Sequence, residues 1–179
     1  MLFSGILYAT TLKAYFLNIG QGDSTIIIVS TGEVVLIDSG PNESLILQKL
    51  KELRISHIDL LIASHSHTDH ITGMDKIINK YKPRALIDPE IPYSSDTFEK
   101  LLDVVYNNRV KYNLEPAQKF KLGPLVISLH RPKNEFDENS DPNHNSVVFK
   151  LEFGKISFLF PGDIDSACED QLIRTTKNQ

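Results

Sequence analysis

The sequence of 179 residues contains one cysteine and no long apolar run, and its basic residues are outnumbered by acidic ones. Each shortage excludes something. A single Cys168 cannot form an intrachain disulfide, so the chain gives no sign of an oxidising compartment, and the thiol reads as a small packed residue. No stretch approaches the roughly 20 apolar residues of a membrane span. Residues 1–10 are apolar but few, and they lack the basic start of a secretory signal. They are therefore expected to enter the first strand of a soluble, cytoplasmic protein. With 19 Lys and Arg against 23 Asp and Glu the formal charge is −4, which argues against a sequence-independent grip on nucleic acid. A phosphate-bearing substrate would have to find its positive charge in bound metal. Repeats and low-complexity segments are absent as well, and the length suggests one domain over residues 1–179.

What the chain does have is histidine in one place. Ser64-His65-Ser66-His67-Thr68-Asp69-His70 holds three of the six histidines. Residues 58–63 before it are apolar and branched, the pattern of a buried strand. Residues 71–81 after it carry Ile71, Met74, Ile77 and Ile78 at helical spacing. The histidines thus sit at the C-terminal end of a strand, where open α/β sheets place their ligands. His65 and His67, two apart in an extended segment, project to one side and can share a cation. Asp69 and His70, at the start of the helix, can reach a second one. Imidazole with carboxylate suits zinc, manganese or iron.

The remaining elements are read from pattern and turn chemistry. Strands are expected over residues 11–19, 24–30 and 34–37, with a Gly20-Gln21-Gly22-Asp23 turn between the first two. A helix capped by Asn42 or Ser44 should run to Leu53, burying Leu45, Ile46, Leu50 and Leu53. A short strand is expected over residues 85–88, and a helix over 96–108 that buries Phe98, Leu101, Leu102, Val105 and Tyr106. Residues 110–121 are less regular, and 122–129 are apolar but broken by Gly123-Pro124. An exposed polar loop over 132–142 leads to a hairpin of strands 147–153 and 156–160 about Gly154-Lys155. His57 and His130 read as packing, surface or cleft-wall residues.

The H-x-H-x-D-H run after an apolar strand resembles the metal signature of the metallo-β-lactamase-fold hydrolases. Asn18-Ile19-Gly20-Gln21-Gly22-Asp23-Ser24, Val35-Leu36-Ile37-Asp38-Ser39-Gly40-Pro41, Asn145-Ser146-Val147-Val148 and Phe160-Pro161-Gly162-Asp163 follow in an order similar to the metallo-β-lactamase-like domain of late-competence DNA-uptake proteins and their soluble relatives. The resemblance implies an α/β fold, the αββα sandwich, with its C-terminal portion incomplete. It also implies that Asp23 faces the metal cleft, that Asp38 braces the ligand loop without touching metal, and that Asp163 bridges two cations. Because the competence proteins carry this domain after membrane helices, an extracytoplasmic place is implied as the alternative to the cytoplasm.

His144 occupies the position of the family's third motif, so it either completes the first site or lines the cleft as a loop histidine. The expected metal ligands are then His65, His67, Asp69, His70, His144 and Asp163, with Asp69 also positioning the attacking water. The cofactors expected are two divalent ions, zinc foremost. Hydroxide formed from metal-bound water near neutrality would attack a phosphodiester, nucleic acid included. Lactone, thioester or lactam hydrolysis is the alternative within the enzymes, and a non-catalytic metal-binding remnant the alternative outside them. The resemblance leads one to expect a further histidine after Asp163, and none follows. The second site is therefore expected to be weak, and an exposed sheet edge to favour a homo-oligomer.

Overall fold

The computed structural model describes residues 9–113, 119–130 and 141–176. Its first sheet holds β1 (Leu12–Phe16), β2 (Thr25–Val29), β3 (Val34–Ile37), β4 (Leu60–Ile62), β5 (Ala85–Ile87) and β6 (Lys111–Tyr112), in that spatial order. A loop of residues 17–24 joins β1 to β2 and a short turn joins β2 to β3, and both pairs are antiparallel. From β3 onward each connection passes through helix and the pairing is parallel, as crossover geometry requires. The helices are α1 (Glu43–Glu52), α2 (Thr68–Ile71), α3 (Met74–Tyr81) and α4 (Asp96–Asn108). A second, antiparallel sheet runs β7 (Lys119–Leu122), β8 (Leu125–His130), β9 (Val148–Phe153) and β10 (Ile156–Phe160), and α5 (Ser166–Thr176) follows it.

Alternation along the central strands builds two cores. Ile26, Leu36, Leu61 and Leu86 point to one face and meet Ile46 and Leu50 of α1, Met74, Ile77 and Ile78 of α3, and Phe98 and Leu101 of α4. Their neighbours Ile27, Val35, Ile37, Leu60, Ile62 and Ile87 point the other way, onto Leu125, Ile127, Phe149 and Leu151 of the second sheet. A strand buried on both faces must be apolar throughout, which is why β3, β4 and β5 contain no polar residue. The α/β sandwich expected from the sequence is the one observed.

Several boundaries differ from expectation for physical reasons. The helix expected over residues 71–81 is split into α2 and α3 at Thr72-Gly73, where Gly73 takes φ 87° and a side chain would press on the Glu43 backbone. Close approach of α1 fixes that break. Tyr106, expected inside, is 83% exposed, because the buried stripe of α4 is Phe98, Leu101 and Val105. Residues 122–129, read as one broken apolar stretch, are a hairpin: Gly123, at φ 55°, turns β7 into β8. Helix α5 was not expected. The loop expected over residues 132–142 falls largely outside the described residues. Among the described residues no helix is long and apolar enough to cross a membrane.

Candidate metal centre

The parallel strands β3 and β4 end side by side, and the polar residues that follow them lock together. The Ser64 N–H and hydroxyl both donate to the Asp38 carboxylate, each at 2.7 Å. His70 donates to the same carboxylate from Nδ1 at 3.0 Å. All three residues are buried. Asp38 holds a left-handed backbone (φ 54°), which aspartate tolerates better than most residues. Ser39 secures the other side, donating from its N–H and its hydroxyl to the His70 carbonyl. The ligand loop is also tied to the second sheet, where the Val147 N–H donates to the Ser64 carbonyl at 2.8 Å.

These ties present three donors to one point. His65, His70 and Asp163 offer ligand atoms that all lie within 4.8 Å of one another, the one such group of three among the described residues. His70 turns Nε2 toward Asp163 Oδ2, 3.5 Å away. His65 is fully buried, with Nε2 3.1 Å from His67 Nδ1. That spacing is close to the edge of about 3.3 Å that a tetrahedron with bonds of about 2.0–2.1 Å requires. Asp163 reaches the cluster because Gly162, at φ 62°, lets the strand end pack on Ser146 and Ser64, and the Asp163 N–H donates to Ser146 Oγ. A side chain at Gly162 would meet Ser146 Cβ at 2.9 Å.

The electrostatics suit a cation. Burial, with the neighbouring rings of His70 and His67, pushes His65 down to about 3, so its lone pair is free of protons near neutrality. Burial also acts against a charge on His70, but the Asp38 hydrogen bond and the charges of Asp38, Asp163 and Asp69 outweigh it and raise its pKa. Burial raises Asp38 as well, against the opposing pull of His70 and Ser64. Two imidazole nitrogens, that of His70 once it has lost its proton, and a carboxylate are donors a divalent transition ion accepts.

The other expected residues lie as follows. His67 joins no group of three; its Nε2 is 3.7 Å from Asp141 and its ring meets that of Tyr93 edge to face. Asp69 stands in the first turn of α2, close enough to raise His70, and is outside the group. His144 sits in a short 3-10 turn (Pro142–Asn145) with Nε2 3.0 Å from Asp165, and the structure does not bring it to His65 or His70. Asp23 lines a cavity of about 220 Å³ together with Asp38, Ser64 and Gly162. His57 bonds to the Gly32 carbonyl at 3.1 Å and His130 ends β8, both apart from the cluster. Sequence reasoning assigned no role to Ser64, whereas Ser146 was expected to satisfy loop backbone and does so, accepting the Asp163 N–H. The signal for Ser64 was adjacency, since it precedes His65.

The Gly20–Gly22 turn is as close to the site as sequence suggested. Gly22 takes φ 94°, and a Cβ there would collide with the Asp69 backbone carbonyl. Gly22→Ala is thus expected to cost about 2–4 kcal/mol from strain and overpacking together. Thermal unfolding of the metal-free variant checks this. Gly20→Ala, where a Cβ would meet nothing within 4 Å, should cost less.

Histidines and an aspartate converging at strand ends of a two-sheet α/β sandwich define a metallo-hydrolase. The chain belongs to the metallo-β-lactamase superfamily, whose family model matches residues 17–175. It is similar to ComE operon protein 3 of Bacillus subtilis, at 23% identity over 90% of this chain and 23% of that protein. A probable metallo-hydrolase of Streptococcus pyogenes serotype M6 is 25% identical over 94% of this chain and 70% of its own. Among solved structures, the metallo-β-lactamase-fold protein YhfI of Bacillus subtilis superposes with a TM-score of 0.58 at 18% identity, over 85% of this chain and 62% of that one. The chain thus spans under a quarter of the competence-operon relative and less than two-thirds of YhfI.

Proposed function

We propose that this metal-dependent hydrolase cleaves phosphodiesters, with His65, His67, Asp69, His70 and Asp163 as the residues that hold its divalent ions. The observation that carries the reading is Asp163 on its glycine-anchored strand end, 3.5 Å from the buried His70. By the resemblance stated above, phosphodiesterase-like members carry aspartate at this position and antibiotic-hydrolysing ones commonly carry cysteine. A bound cation, zinc foremost with manganese or iron as alternatives, would supply Lewis acidity and positive charge at the scissile phosphate. The chain does the rest. Asp38 and Ser64 hold the ligand loop, His70 keeps its Nδ1 proton on Asp38 and turns Nε2 to the cluster, and Asp69 orients the attacking water. His144 stays outside the ligand set and pairs with Asp165.

The test is metal analysis of protein purified without chelator, followed by assays on bis(4-nitrophenyl) phosphate, a phenyl thioester and a lactone. Diester turnover that chelator removes and added metal restores, exceeding thioester and lactone turnover at least tenfold, is the expected outcome. Faster thioester or lactone cleavage would overturn the substrate class, and absence of metal would overturn the site.

A further inference from the structure

Beside the metal centre lies a groove of about 800 Å³ between the residues that follow β5 and the first turns of α4. That volume is typical of ligand sites. Its wall reaches the histidine loop, because Tyr93 lines the groove and its ring centroid stands 6.0 Å from that of His67. Pro92, Phe98 and Leu102 supply apolar surface, and Tyr112 adds a second tyrosine ring. The Tyr112 ring is fixed, since its hydroxyl donates to the buried carboxylate of Asp88 at 2.5 Å.

Charge decides what such a groove admits. Among the described residues that line it, Glu90 and Glu99 are acidic and none is lysine or arginine; the exposed Glu99 sets the sign at the rim. Carboxylates beside aromatic faces repel an anion, whereas they accept an uncharged ring and favour a cationic one. A polynucleotide would place further phosphates here, against the exposed Glu99. We infer that this groove receives a flat aromatic group free of negative charge, carried by the substrate whose scissile bond lies at the metal centre. The inference rests on the hydrolase reading for the second half of that statement only. Substrates of this kind are diesters of an aromatic alcohol, not internal bonds of a nucleic-acid chain.

One ring with three charges tests the groove without metal or turnover. Benzylamine, benzyl alcohol and benzoate are titrated into the metal-free protein, followed by the tyrosine ring resonances in NMR. Ligands of about eight heavy atoms bind in the millimolar range at ordinary ligand efficiency. Benzylamine is expected to bind tightest, benzyl alcohol next, and benzoate at least tenfold more weakly than benzylamine, with Tyr93 and Tyr112 signals shifting. Tyr93→Ala should weaken benzylamine binding at least fivefold. Glu99→Lys, an exposed change that tests the charge argument even if Tyr93→Ala fails to fold, should narrow or reverse the preference for benzylamine over benzoate. Equal binding of the three, shifts confined to other tyrosines, or an unchanged preference in Glu99→Lys would overturn the proposal. Failure of diester turnover with this binding series intact would overturn the hydrolytic reading and leave the groove's selectivity standing.

Discussion

Replacing His65 and His67 together by alanine is expected to abolish metal binding while the α/β sandwich survives. Loss of one outer partner of a ligand costs about 10–100-fold in affinity, so removal of the two proposed ligands should cost roughly a thousandfold or more. The fold should tolerate the change because the two cores lie away from these rings, in Ile26, Leu61 and their neighbours on one side and Ile27, Ile62 and Phe149 on the other. His65 is fully buried, so its truncation leaves a cavity and a few kcal/mol of destabilisation is expected. Two measurements separate binding from folding. Metal at a hundredfold excess over its Kd should stabilise the wild type by about 2.7 kcal/mol, a rise in Tm of roughly 5–10 °C. The double variant should unfold cooperatively at a temperature metal does not change. Stoichiometric metal in that variant would place the site elsewhere.

Proton competition adds a sign to the same experiment. His65, held down to about 3, does not compete with metal for protons near neutrality. His70 does, since its pKa is raised above 6.5 and a proton on Nε2 occupies the position a cation needs. Metal affinity should therefore climb as pH rises through that raised value. Calorimetric titrations across pH 6–8 would show proton release that declines with pH. Affinity independent of pH over that window would mean that His70 takes no cation.

How much of this was legible in the sequence depends on the kind of signal. The central strands and α1 were readable because periodicity and caps act locally. Asn42 does cap α1, its Oδ1 accepting the Leu45 N–H at 2.9 Å. The β9–β10 hairpin was readable from Gly154-Lys155 for the same reason. Asp38 was readable only through the resemblance. It is 26 residues from Ser64 and 32 from His70, and only the parallel pairing of β3 with β4 brings them together. Ser64 was illegible for a related reason: a serine beside a histidine is ordinary, and its part depends on which strand end lies across from it. The break at Gly73 and the outward Tyr106 are tertiary effects, set by where α1 and α3 pack, that no window along one helix contains.

The largest effect from a single atom-sized change should come from Asp38→Asn. The carboxylate accepts three hydrogen bonds, two from Ser64 and one from His70, and can do so because an ionised aspartate has only acceptors to offer. Asparagine keeps the shape and tolerates the left-handed backbone at φ 54°. Its Oδ1 can still accept the Ser64 N–H, but its amide nitrogen then faces the Ser64 hydroxyl and His70 Nδ1 as a donor. The hydroxyl can rotate; the imidazole can answer only by moving its proton to Nε2. In that tautomer Nδ1 accepts from the amide, and the nitrogen turned toward Asp163 carries hydrogen where a cation needs a lone pair. Metal affinity should fall about 10–100-fold while stability falls by only about 1–2 kcal/mol. Asp38→Ala makes the contrast. It leaves buried donors on Ser64 and His70 unsatisfied, at about 1–3 kcal/mol each, and puts alanine in a backbone region it resists. Against a total stability of about 5–15 kcal/mol, the alanine variant should unfold at far milder conditions than the asparagine one. Nitrogen-15 NMR of the imidazoles reads the tautomer directly, with His70 protonated at Nδ1 in the wild type and at Nε2 in Asp38→Asn. An unchanged His70 tautomer together with unchanged metal affinity would show that Asp38 supports the loop alone and leaves the ligand untuned.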